Sequence, residues 1–479
     1  MNTLFSGMNK EEMAGQAHRN KRIAFITFEG IKVTYEEVFQ FSERIKKHIS
    51  DKPLLFALCE NTPGSLLGYT AFISNGAVPL MLDAKIDAEL LSNLLTIYKP
   101  NLVWMPDGMS PILKSNTIVF SEFGYSLHLL STEKIPLNED LALLLTTSGS
   151  TGSPKLVRLS YKNLKANAES IAQYLAITSD EKPITTLPMH YSYGLSVINS
   201  HWIKGATLLL SNYSVMQKEF WAFAKEQNAT SIAGVPYTYE MLKRLRFFRM
   251  DLPHLTTMTQ AGGKLNATLA KEYIEQAHSA GKRFIVMYGQ TEATARMSYL
   301  PFEKALEKYS SIGIAIPGGS FQLKNEDIEI EEPDTDGELV YSGDNVSLGY
   351  AECQEDLAKG DENQGVLYTG DIARRDKDGF YYITGRKKRF IKLFGNRINL
   401  DAMEQLLRNN HSDGEFACAG EDDQMIIFTT TQNKSDDMIR FIVDKTGINK
   451  QGFLVKEISS IPKNSSGKIL YSELNPFIK

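Results

Sequence analysis

The sequence predicts an α/β protein with a large layered N-terminal domain and a small α+β C-terminal domain. Strand-like apolar runs alternate with amphipathic stretches from about residue 23 to residue 210, as in layered α/β cores. After about residue 310, short β-like runs are separated by Gly- and Asp-containing turns, which indicates a β-rich part. The chain has 479 residues, enough for two or three packed domains.

In the first half of the chain, apolar runs predict buried strands. In order they are LLFALCE, VPLMLDA, LVWMP, LALLLTT, ITTLPM and ATLLLS. The most apolar segment, residues 66–82, is interrupted by Ser, Asn, Gly and Pro, which predicts a buried helix, a turn and a strand. A helix with Ser160 as its N-cap is predicted because apolar residues recur at a spacing that places them on one stripe. Those residues are Leu164, Ala168, Ile171 and Leu175.

The last part of the chain, from about residue 387, predicts a small α+β unit. INLDAMEQLLRN and DDMIRFIVDKTG have helical patterns, whereas FACAGEDDQMIIFTT is typical of a hairpin and FLVKEIS of a strand. No internal repeat or long linker separates this unit from the rest of the chain, so flexibility would have to come from a short hinge.

Composition and charge exclude several classes of protein. Hydrophobic residues make up 42% and charged residues 23%, which is typical of a globular chain. The net charge, 52 − 57 = −5, gives no general electrostatic attraction to nucleic acid or anionic lipid. No apolar stretch is typical of a secretory signal or a membrane span. The cysteines are few and widely spaced, which favours a reducing compartment, so we expect a cytoplasmic protein with no nucleic-acid or membrane partner.

Common catalytic motifs are absent from the sequence. The eight histidines show no H-E-x-x-H spacing and the cysteines form no C-x-x-C pair, so a zinc site has little support. Neither G-x-S-x-G nor the dinucleotide pattern G-x-G-x-x-G occurs.

One loop has the chemistry of a phosphate site. LALLLTTSGSTGSPKLVRLS runs from an apolar strand into hydroxyl-bearing residues, glycines and Lys155. Backbone N–H groups, hydroxyls and an ammonium can together bind phosphate oxygens, although such a composition also fits a plain surface loop. It is not a Walker A loop, because an alternating strand-like stretch follows the lysine where that motif would begin a helix.

This loop resembles the phosphate loop of the adenylate-forming superfamily, which includes acyl-CoA synthetases, peptide-synthetase adenylation domains and firefly-type luciferases. Other segments are similar to that superfamily's motifs in the same order. They are VTYEEV, NGAVPLMLDA, LPMHYSYGL, QAGGKL, YGQTEA, GELVYSGDNVSLGY, YTGDIA, ITGRKKRFIKLFGNRIN and IPKNSSGKIL. The resemblance implies two α/β subdomains and a β-rich subdomain in residues 1–386, and a mobile lid domain in residues 387–479.

The resemblance implies binding of ATP and Mg²⁺. Glu292 would ligate the metal and Thr291 would contact the α-phosphate, while Tyr288 would lie against adenine. Taken singly, these side chains have ordinary structural interpretations. The remaining residues implied for the triphosphate and the base are Thr147, Ser148, Gly149, Ser150, Thr151, Gly152, Lys155, Gly262, Gly263 and Gly289.

Toward the C-terminus, the resemblance implies that Asp371 and Arg386 bind the ribose and that Lys468 bridges the carboxylate and the α-phosphate. Lys388 would be the hinge. After adenylation, the lid would withdraw Lys468 and present residues 393–397 to form a tunnel for a thiol. The basic residues near Lys388 are thus explained without nucleic-acid binding.

The acid would lie near LPMHYSYGL, whose implied pocket residues are His190, Tyr191, Tyr193 and Gly194. Tyr191 stands at the superfamily's usual histidine position and His190 at the preceding aromatic one, so the lining role of each stays open. No Asp lies between residues 189 and 196 to pair with a substrate ammonium, which favours an acid without an α-amino group. The polar residues here favour a small or hydroxylated acid.

The expected activity is therefore ATP-dependent activation of a small carboxylic acid as acyl-AMP, with pyrophosphate release, followed by acyl transfer to a thiol. The chain has no D-S-L carrier-attachment motif, so the thiol must be separate. Coenzyme A is the first candidate, and the phosphopantetheine of a discrete carrier protein is the alternative. A catalytically degenerate nucleotide-binding scaffold is the alternative from a different class.

Overall fold

The structure is a computed structural model that describes residues 21–109, 113, 117–146, 155–326, 328–387, 389–393, 396–411, 414–421, 423–446, 448–463, 467–471 and 473–474. The chain divides into two compact units. The first comprises residues up to 320 together with Ser342–Leu367, and the second comprises Phe321–Tyr341 and the residues from Tyr368 onward. This division, which reflects compactness, differs from the predicted domain boundary after residue 386. The predicted boundary marks the part of the chain that is expected to move, and it stays a prediction.

The elements of residues 21–315 alternate strands with helices. In the described part of this range they are β1 (Ile23–Thr27), β2 (Lys32–Thr34), α1 (Tyr35–Lys46), β3 (Leu54–Cys59), α2 (Pro63–Ser74), β4 (Val78–Asp83), α3 (Ala88–Tyr98), β5 (Leu102–Pro106), β6 (Thr117–Glu122), β7 (Tyr125–Leu129), β8 (Leu141–Thr146), β9 (Leu156–Ser160), α4 (Tyr161–Tyr174), β10 (Pro183–Ile184), α5 (Ser192–Trp202), β11 (Leu208–Leu210), α6 (Lys218–Glu226), β12 (Ser231–Gly234), α7 (Pro236–Arg244), β13 (Thr257–Gln260), α8 (Ala267–Ser279), β14 (Arg283–Tyr288), β15 (Ser298–Tyr299) and β16 (Ile314–Ala315).

The remainder of the chain is richer in strands. Its described elements are β17 (Gly319–Asn325), β18 (Ile328–Glu329), β19 (Gly337–Gly343), β20 (Gly349–Ala351), β21 (Val366–Arg375), β22 (Tyr381–Arg386), β23 (Phe390–Leu393), β24 (Asn396–Asn399), α9 (Leu400–Asn410), β25 (Phe416–Glu421), β26 (Gln424–Thr429), α10 (Ser435–Thr446) and β27 (Phe453–Glu457).

The first unit contains two large sheets. Within the described residues, one has eight strands in the order β20-β9-β8-β4-β3-β5-β7-β6, and the other has nine in the order β16-β15-β14-β13-β12-β10-β11-β1-β2. Strands β10 to β14 are parallel, so their carboxyl ends meet at one edge of the second sheet. Loops that follow such ends are a common place for ligand sites in α/β proteins.

Helix α2 shows why the first unit is layered. Its residues Gly64–Ile73 are all buried. The apolar side chains among them, from Leu66 to Ile73, belong to one cluster with Phe25 of the nine-stranded sheet and Leu55 of the eight-stranded sheet. A helix that is apolar all round is typical of a buried position between other elements. The α/β class predicted from the alternating pattern is therefore confirmed.

The second unit consists of smaller sheets. In the described residues these are a five-stranded sheet of order β18-β17-β19-β21-β22, a two-stranded sheet of β23 and β24, and a three-stranded sheet of β25, β26 and β27. The predicted hairpin at FACAGEDDQMIIFTT is confirmed, since β25 pairs with β26 in antiparallel register. The predicted helices and the final strand correspond to α9, α10 and β27.

Two local predictions in the first unit are confirmed and one is wrong. Residues 66–82 form most of α2, a turn and most of β4, and Ser160 caps α4 in a reciprocal capping box with Asn163. ITTLPM is not a strand, because only its first residue, Ile184, belongs to one. The hydroxyl of Thr186 donates to the Ala233 carbonyl, and Pro188 has no N–H with which to continue a ladder.

Among the residues that the structure describes, no helix has the length and apolar character of a transmembrane segment. Location in the cytoplasm stays a prediction.

Candidate functional site

Lys155 lies where strand register places it beside Tyr350. Strand β9 pairs with β20 in antiparallel register, Leu156 opposite Ala351 and Val157 opposite Tyr350. Lys155 therefore stands near Glu352, and its Nζ is 3.9 Å from a carboxylate oxygen of that residue. Alternate residues of a strand share a face, and the Lys155 ammonium lies 3.6 Å from the centre of the Tyr350 ring. This is a cation–π contact.

Tyr350 connects the lysine to Glu292. Its hydroxyl donates to Glu292 Oε1 at 2.8 Å, and burial together with the Glu292 carboxylate raises the pKa of Tyr350. Glu292 is held in place by its own backbone, whose carbonyl accepts a hydrogen bond from the N–H of Ser347, close to β20. The predicted phosphate-loop lysine and the predicted metal ligand are thus joined through a single tyrosine.

The loop after β14 brings further predicted residues to this place. The Thr291 and Ser192 hydroxyls are 3.0 Å apart, which connects the turn Thr291–Ala293 to the first residue of α5. The Gln290 amide donates to the Tyr288 hydroxyl at 3.4 Å. Gly289 lies between them. Thr291, Glu292 and Tyr288 therefore lie at the carboxyl edge of the parallel strands.

Gly262, in the loop after β13, is in close contact with Tyr191. Gly262 has φ +82°, and a Cβ added there would lie 2.6 Å from the Tyr191 hydroxyl oxygen. Both features require glycine. Burial raises the pKa of Tyr191 to about 12. The predicted base-binding and acid-pocket segments are thus neighbours, and Gly263 follows beside Pro236.

His190 stands next to the end of β4. Its Nε2 is 3.9 Å from a carboxylate oxygen of Asp83. Burial lowers the pKa of His190, and the Asp83 charge opposes that change only in part. Its buried Nδ1 has no hydrogen-bond partner within the part of the chain that the structure describes. His190 thus presents a neutral ring beside Tyr191.

Tyr193 lies in the first turn of α5, and Gly194 follows it. Tyr193 is 3% exposed, and its hydroxyl is 2.9 Å from both the backbone and the side-chain oxygens of Thr259. The Arg296 guanidinium lies 4.9 Å from the centre of its ring. The Tyr191 and Tyr193 rings are edge to face, with centres 6.4 Å apart. The predicted acid-pocket residues are therefore together.

In the second unit, Asp371 and Arg386 form a cross-strand pair. They are opposite each other in the register of β21 and β22, and Arg386 Nε is 3.2 Å from Asp371 Oδ1. The Asp371 side chain is 6% exposed whereas that of Arg386 is 60% exposed. The two predicted ribose residues thus lie side by side, with the arginine at the surface.

Lys468 lies in a segment anchored by the residues around it. Gly467 has φ +78°, a backbone conformation that favours glycine, and Ile469 forms a β-bridge with Lys463. The hydroxyl of Tyr471 donates to both carboxylate oxygens of Glu404 at 3.0 Å. Lys468 therefore lies on a short segment that is held by the backbone pairing of Lys463 with Ile469 and by the hydrogen bonds of Tyr471.

Glu404, on helix α9, accepts hydrogen bonds from several donors. Arg389 Nη2 donates to Glu404 Oε1 at 2.8 Å, and the Arg389 guanidinium lies 3.7 Å from the centre of the Tyr471 ring. The Arg408 guanidinium and the Cys418 N–H also donate to this carboxylate. The negative charges around Arg389 raise its pKa despite burial. The Lys468 segment and the residue after the predicted hinge are thus tied to one buried carboxylate.

Some predicted residues lie outside the described part of the chain. They are Thr147, Ser148, Gly149, Ser150, Thr151, Gly152 and the hinge Lys388. Their roles stay predictions.

Glu292 is the residue that the sequence predicts to hold a divalent cation. Its Oε1 accepts the Tyr350 hydrogen bond, whereas Oε2 accepts none from a described residue. Within the described ranges, no three His, Cys, Asp or Glu side chains gather into a metal-binding group. One carboxylate oxygen suits Mg²⁺, which usually takes one or two protein carboxylates together with substrate phosphates and water. The site therefore fits a cation that arrives with a nucleotide.

Sequence reasoning missed the roles of Tyr350, Glu404, Tyr471 and Arg296. Tyr350 ends the quoted motif GELVYSGDNVSLGY, so a signal was present although no contact could be derived from it. Glu404 and Arg296 stand in a helical pattern and beside YGQTEA, and neither pattern distinguishes them from ordinary charged residues.

Sequence comparison finds relatives that are named as CoA ligases and synthases. A long-chain-fatty-acid–CoA ligase of Escherichia coli is 28% identical over 372 residues, covering 73% of this chain and 64% of the ligase. A feruloyl-CoA synthase of an Amycolatopsis species is 28% identical over 350 residues, covering 70% of each chain. This chain thus spans about two thirds of the length of these relatives.

Solved structures show the same fold. The o-succinylbenzoate CoA synthetase of Bacillus subtilis, in complex with its acyl-adenylate intermediate, superimposes with a TM-score of 0.77 at 20% identity over 96% of this chain and 97% of that one. The same enzyme has also been solved with ATP and a magnesium ion.

A family assignment follows from the sequence match. Residues 12–351, well over half of the chain, match the AMP-binding enzyme family. The protein belongs to this family.

Proposed function

We propose that the protein activates a carboxylic acid with ATP to form an acyl adenylate and pyrophosphate, and then transfers the acyl group to a thiol. The observation that carries this proposal is the Lys155–Tyr350–Glu292 arrangement, which places an ammonium and an open carboxylate oxygen beside the segments predicted to bind ATP and acid. Relatives named as CoA ligases, and a structural neighbour solved with an acyl adenylate, support it.

Adenylation requires two anions to meet. A carboxylate oxygen attacks the α-phosphorus, and pyrophosphate leaves. Repulsion between these groups is offset by positive charge held in a poorly solvated site. Lys155 would stabilise the triphosphate from the first unit, and Lys468 would contact the reacting carboxylate and α-phosphate. Glu292 would hold Mg²⁺, which when bound supplies further positive charge to the phosphate oxygens.

The second half-reaction transfers the acyl group. The thiol sulfur attacks the acyl carbon, AMP leaves, and the thiol proton is lost. We infer that the part of the chain after residue 386 turns about Lys388 between the two steps. This movement would withdraw Lys468 and bring residues 393–397 to the thiol path. Excluding water first and admitting the thiol later protects a reactive anhydride.

The acid pocket favours a small acid without an α-amino group. Tyr191, Tyr193 and the neutral His190 offer hydroxyl and ring contacts and carry no carboxylate themselves. The Asp83 carboxylate lies 3.9 Å from His190 Nε2, so amino acids belong in the panel of substrates. The relatives named above act on acids as different as long-chain fatty acids and ferulate, so identity at this level does not select one acid.

A panel of aryl, short aliphatic and amino acids in a pyrophosphate-release assay tests the activity. We expect acid-dependent release, highest for small acids. Repeating the reaction with coenzyme A or with a phosphopantetheine-bearing carrier protein, and weighing the products by mass spectrometry, identifies the acceptor; we expect coenzyme A. If no acid produces release while ATP still binds, the chain is a nucleotide-binding scaffold and the proposal fails.

We expect Tyr471→Phe to slow adenylation about fivefold to tenfold with the KM for ATP nearly unchanged, since one hydrogen bond to a charged group stabilises by about 1.5 kcal/mol. Lys468, three positions earlier, would be less well positioned. Steady-state pyrophosphate release measures the effect.

Tyr382→Phe is the matched control for Tyr471→Phe. The Tyr382 hydroxyl also donates to a carboxylate of the second unit, that of Asp376, at 3.0 Å. It should change kcat by less than about twofold. Equal losses of kcat in the two variants, in parallel with equal losses of thermal stability, would contradict a positioning role for Tyr471.

A further inference from the structure

Arg158 is a fully buried arginine in the middle of strand β9. Every residue of Leu156–Ser160 is buried, and the neighbours of Arg158 in the strand are apolar. An arginine is seldom fully buried unless its charge is compensated, because the guanidinium does not lose its proton in proteins. The groups that accept hydrogen bonds from Arg158 therefore indicate what this residue does.

The guanidinium of Arg158 holds a segment of backbone. It donates to four carbonyls, those of Leu348, Tyr350, Lys359 and Gly360. Nε is 3.0 Å from the Tyr350 oxygen, and Nη2 is 2.9 Å from the Leu348 oxygen. The charge of Arg158 is compensated by Glu362, whose carboxylate lies 2.6 Å from Nη2. These acceptors all come from residues 348–362, so one side chain fixes both ends of that segment.

Gly349 lets the backbone approach this ion pair closely. It lies opposite Arg158 in the register of β9 and β20, and its φ is +118°. A Cβ added there would be 2.6 Å from Glu362 Oε2 and 3.0 Å from Arg158 Nη2. The backbone conformation and the close approach both favour glycine. The backbone between Leu348 and Tyr350 is therefore fitted to the guanidinium.

The same segment holds Glu292. The Ser347 N–H donates to the Glu292 carbonyl at 2.8 Å, and the Tyr350 hydroxyl donates to Glu292 Oε1 at 2.8 Å. The backbone of Tyr350 is thus bound to Arg158, while its side chain is bound to Glu292. Arg158 is connected to the predicted metal ligand through a single residue.

We propose that Arg158 is a positioning residue for magnesium binding. It fixes the backbone of residues 348–350, so that the Tyr350 hydroxyl directs the Glu292 carboxylate toward the cation. This inference rests on the proposed function and adds a residue to it. Groups that orient a metal ligand commonly change metal affinity by about tenfold or more. If Arg158 served only to join β9 to β20, its loss would lower stability and leave the magnesium requirement unchanged.

Arg158→Met provides the first test, because it removes the donors and keeps a long apolar side chain. The Glu362 side chain is 47% exposed, so water can solvate the carboxylate that loses its partner. We expect the magnesium concentration for half-maximal pyrophosphate release to rise about fivefold. The KM for ATP at saturating magnesium should stay within about twofold. An unchanged magnesium requirement would overturn the inference.

Arg158→Lys keeps the charge beside Glu362 and is the variant to use if Arg158→Met does not fold. A point charge cannot reproduce the fork of donors, so we expect the magnesium requirement to rise about threefold. The same requirement as in the unmodified protein would again contradict the positioning role.

Lys282→Met is the matched control for both variants. Lys282 also donates to backbone carbonyls of the first unit, those of Leu252 and Leu255. Its replacement should lower thermal stability and leave the magnesium requirement within about 1.5-fold. A magnesium shift as large as that of Arg158→Met would show that the shift follows from lost stability, and the inference would fail.

Combined substitutions test the connection through Tyr350. If Arg158 acts through the Tyr350 hydroxyl, adding Arg158→Met to Tyr350→Phe should raise the magnesium requirement by less than about twofold further. Independent effects would instead multiply. Multiplied effects would therefore contradict a role that runs through Tyr350.

Binding measured without catalysis separates this inference from the proposed function. Calorimetry compares ATP binding with magnesium and with EDTA, in the absence of any acid, for the unmodified protein and Arg158→Met. We expect magnesium to strengthen ATP binding, and this gain to be at least about threefold smaller in the variant. That result would hold even if no acid were activated, in which case only the proposed function fails. An equal gain in the two proteins would overturn the positioning role and leave the proposed function intact.

Discussion

Lys468→Ala is expected to slow adenylate formation by at least about 100-fold, since it removes a positive charge from the reacting carboxylate and phosphate. It should leave thioester formation from a synthetic acyl adenylate and coenzyme A within about threefold of the unmodified rate, because the lysine would be withdrawn during that step. Single-turnover measurements of pyrophosphate and of thioester separate the two halves.

Lys463→Ala is the matched control. Lys463 is in the same segment, where its Nζ lies 2.5 Å from Glu415, and its backbone pairs with Ile469. Its replacement should change neither half-reaction by more than about twofold, as is usual for an exposed ion pair. If Lys468→Ala slows both halves equally, the proposal that the lid adopts one arrangement for each step is wrong.

Glu292→Gln is expected to reduce adenylation by about 100-fold and to raise the magnesium concentration for half-maximal rate about tenfold or more. The substitution keeps the size of the side chain and an acceptor for the Tyr350 hydroxyl, but it removes the negative charge that binds a cation. A magnesium titration of pyrophosphate release provides the measurement.

Tyr350→Phe separates the charge of Glu292 from its orientation. It leaves the carboxylate in place and removes the 2.8 Å hydrogen bond that orients it, so a loss of about tenfold is expected. Glu307→Gln alters an exposed carboxylate paired with Lys304 and should have no effect. A Glu292→Gln enzyme with an unchanged magnesium dependence would remove this residue from the metal site.

Much of the fold could be predicted because buried strands and amphipathic helices have a local signature. Ser160 illustrates this, since its capping box with Asn163 depends on residues three apart. ITTLPM shows the limit. Ile184, Leu187 and Met189 are buried, as they would be in a strand, but backbone pairing ends after Ile184, and the Thr186 hydroxyl donates to the Ala233 carbonyl. Burial alone does not reveal where backbone pairing stops.

The residues of the candidate site could be predicted where they lie in segments that resemble the superfamily's motifs. Lys155, Glu292, Asp371 and Lys468 could be identified from their segments. The contact between Asp371 and Arg386 could not be derived from the sequence without the register of β21 and β22. In the same way, the distance between Glu404 and Tyr471 is decided by the packing of α9 against a segment far along the chain.

The sequence by itself determined the α/β class and the order of the segments that resemble the superfamily's motifs. Only the tertiary structure decided that Tyr350 joins Lys155 to Glu292 and that Asp371 and Arg386 pair across two strands. The reason is physical. Sequence patterns report which groups are present and their local conformation, whereas the neutralisation of a charge depends on partners that strand register and packing bring from distant parts of the chain.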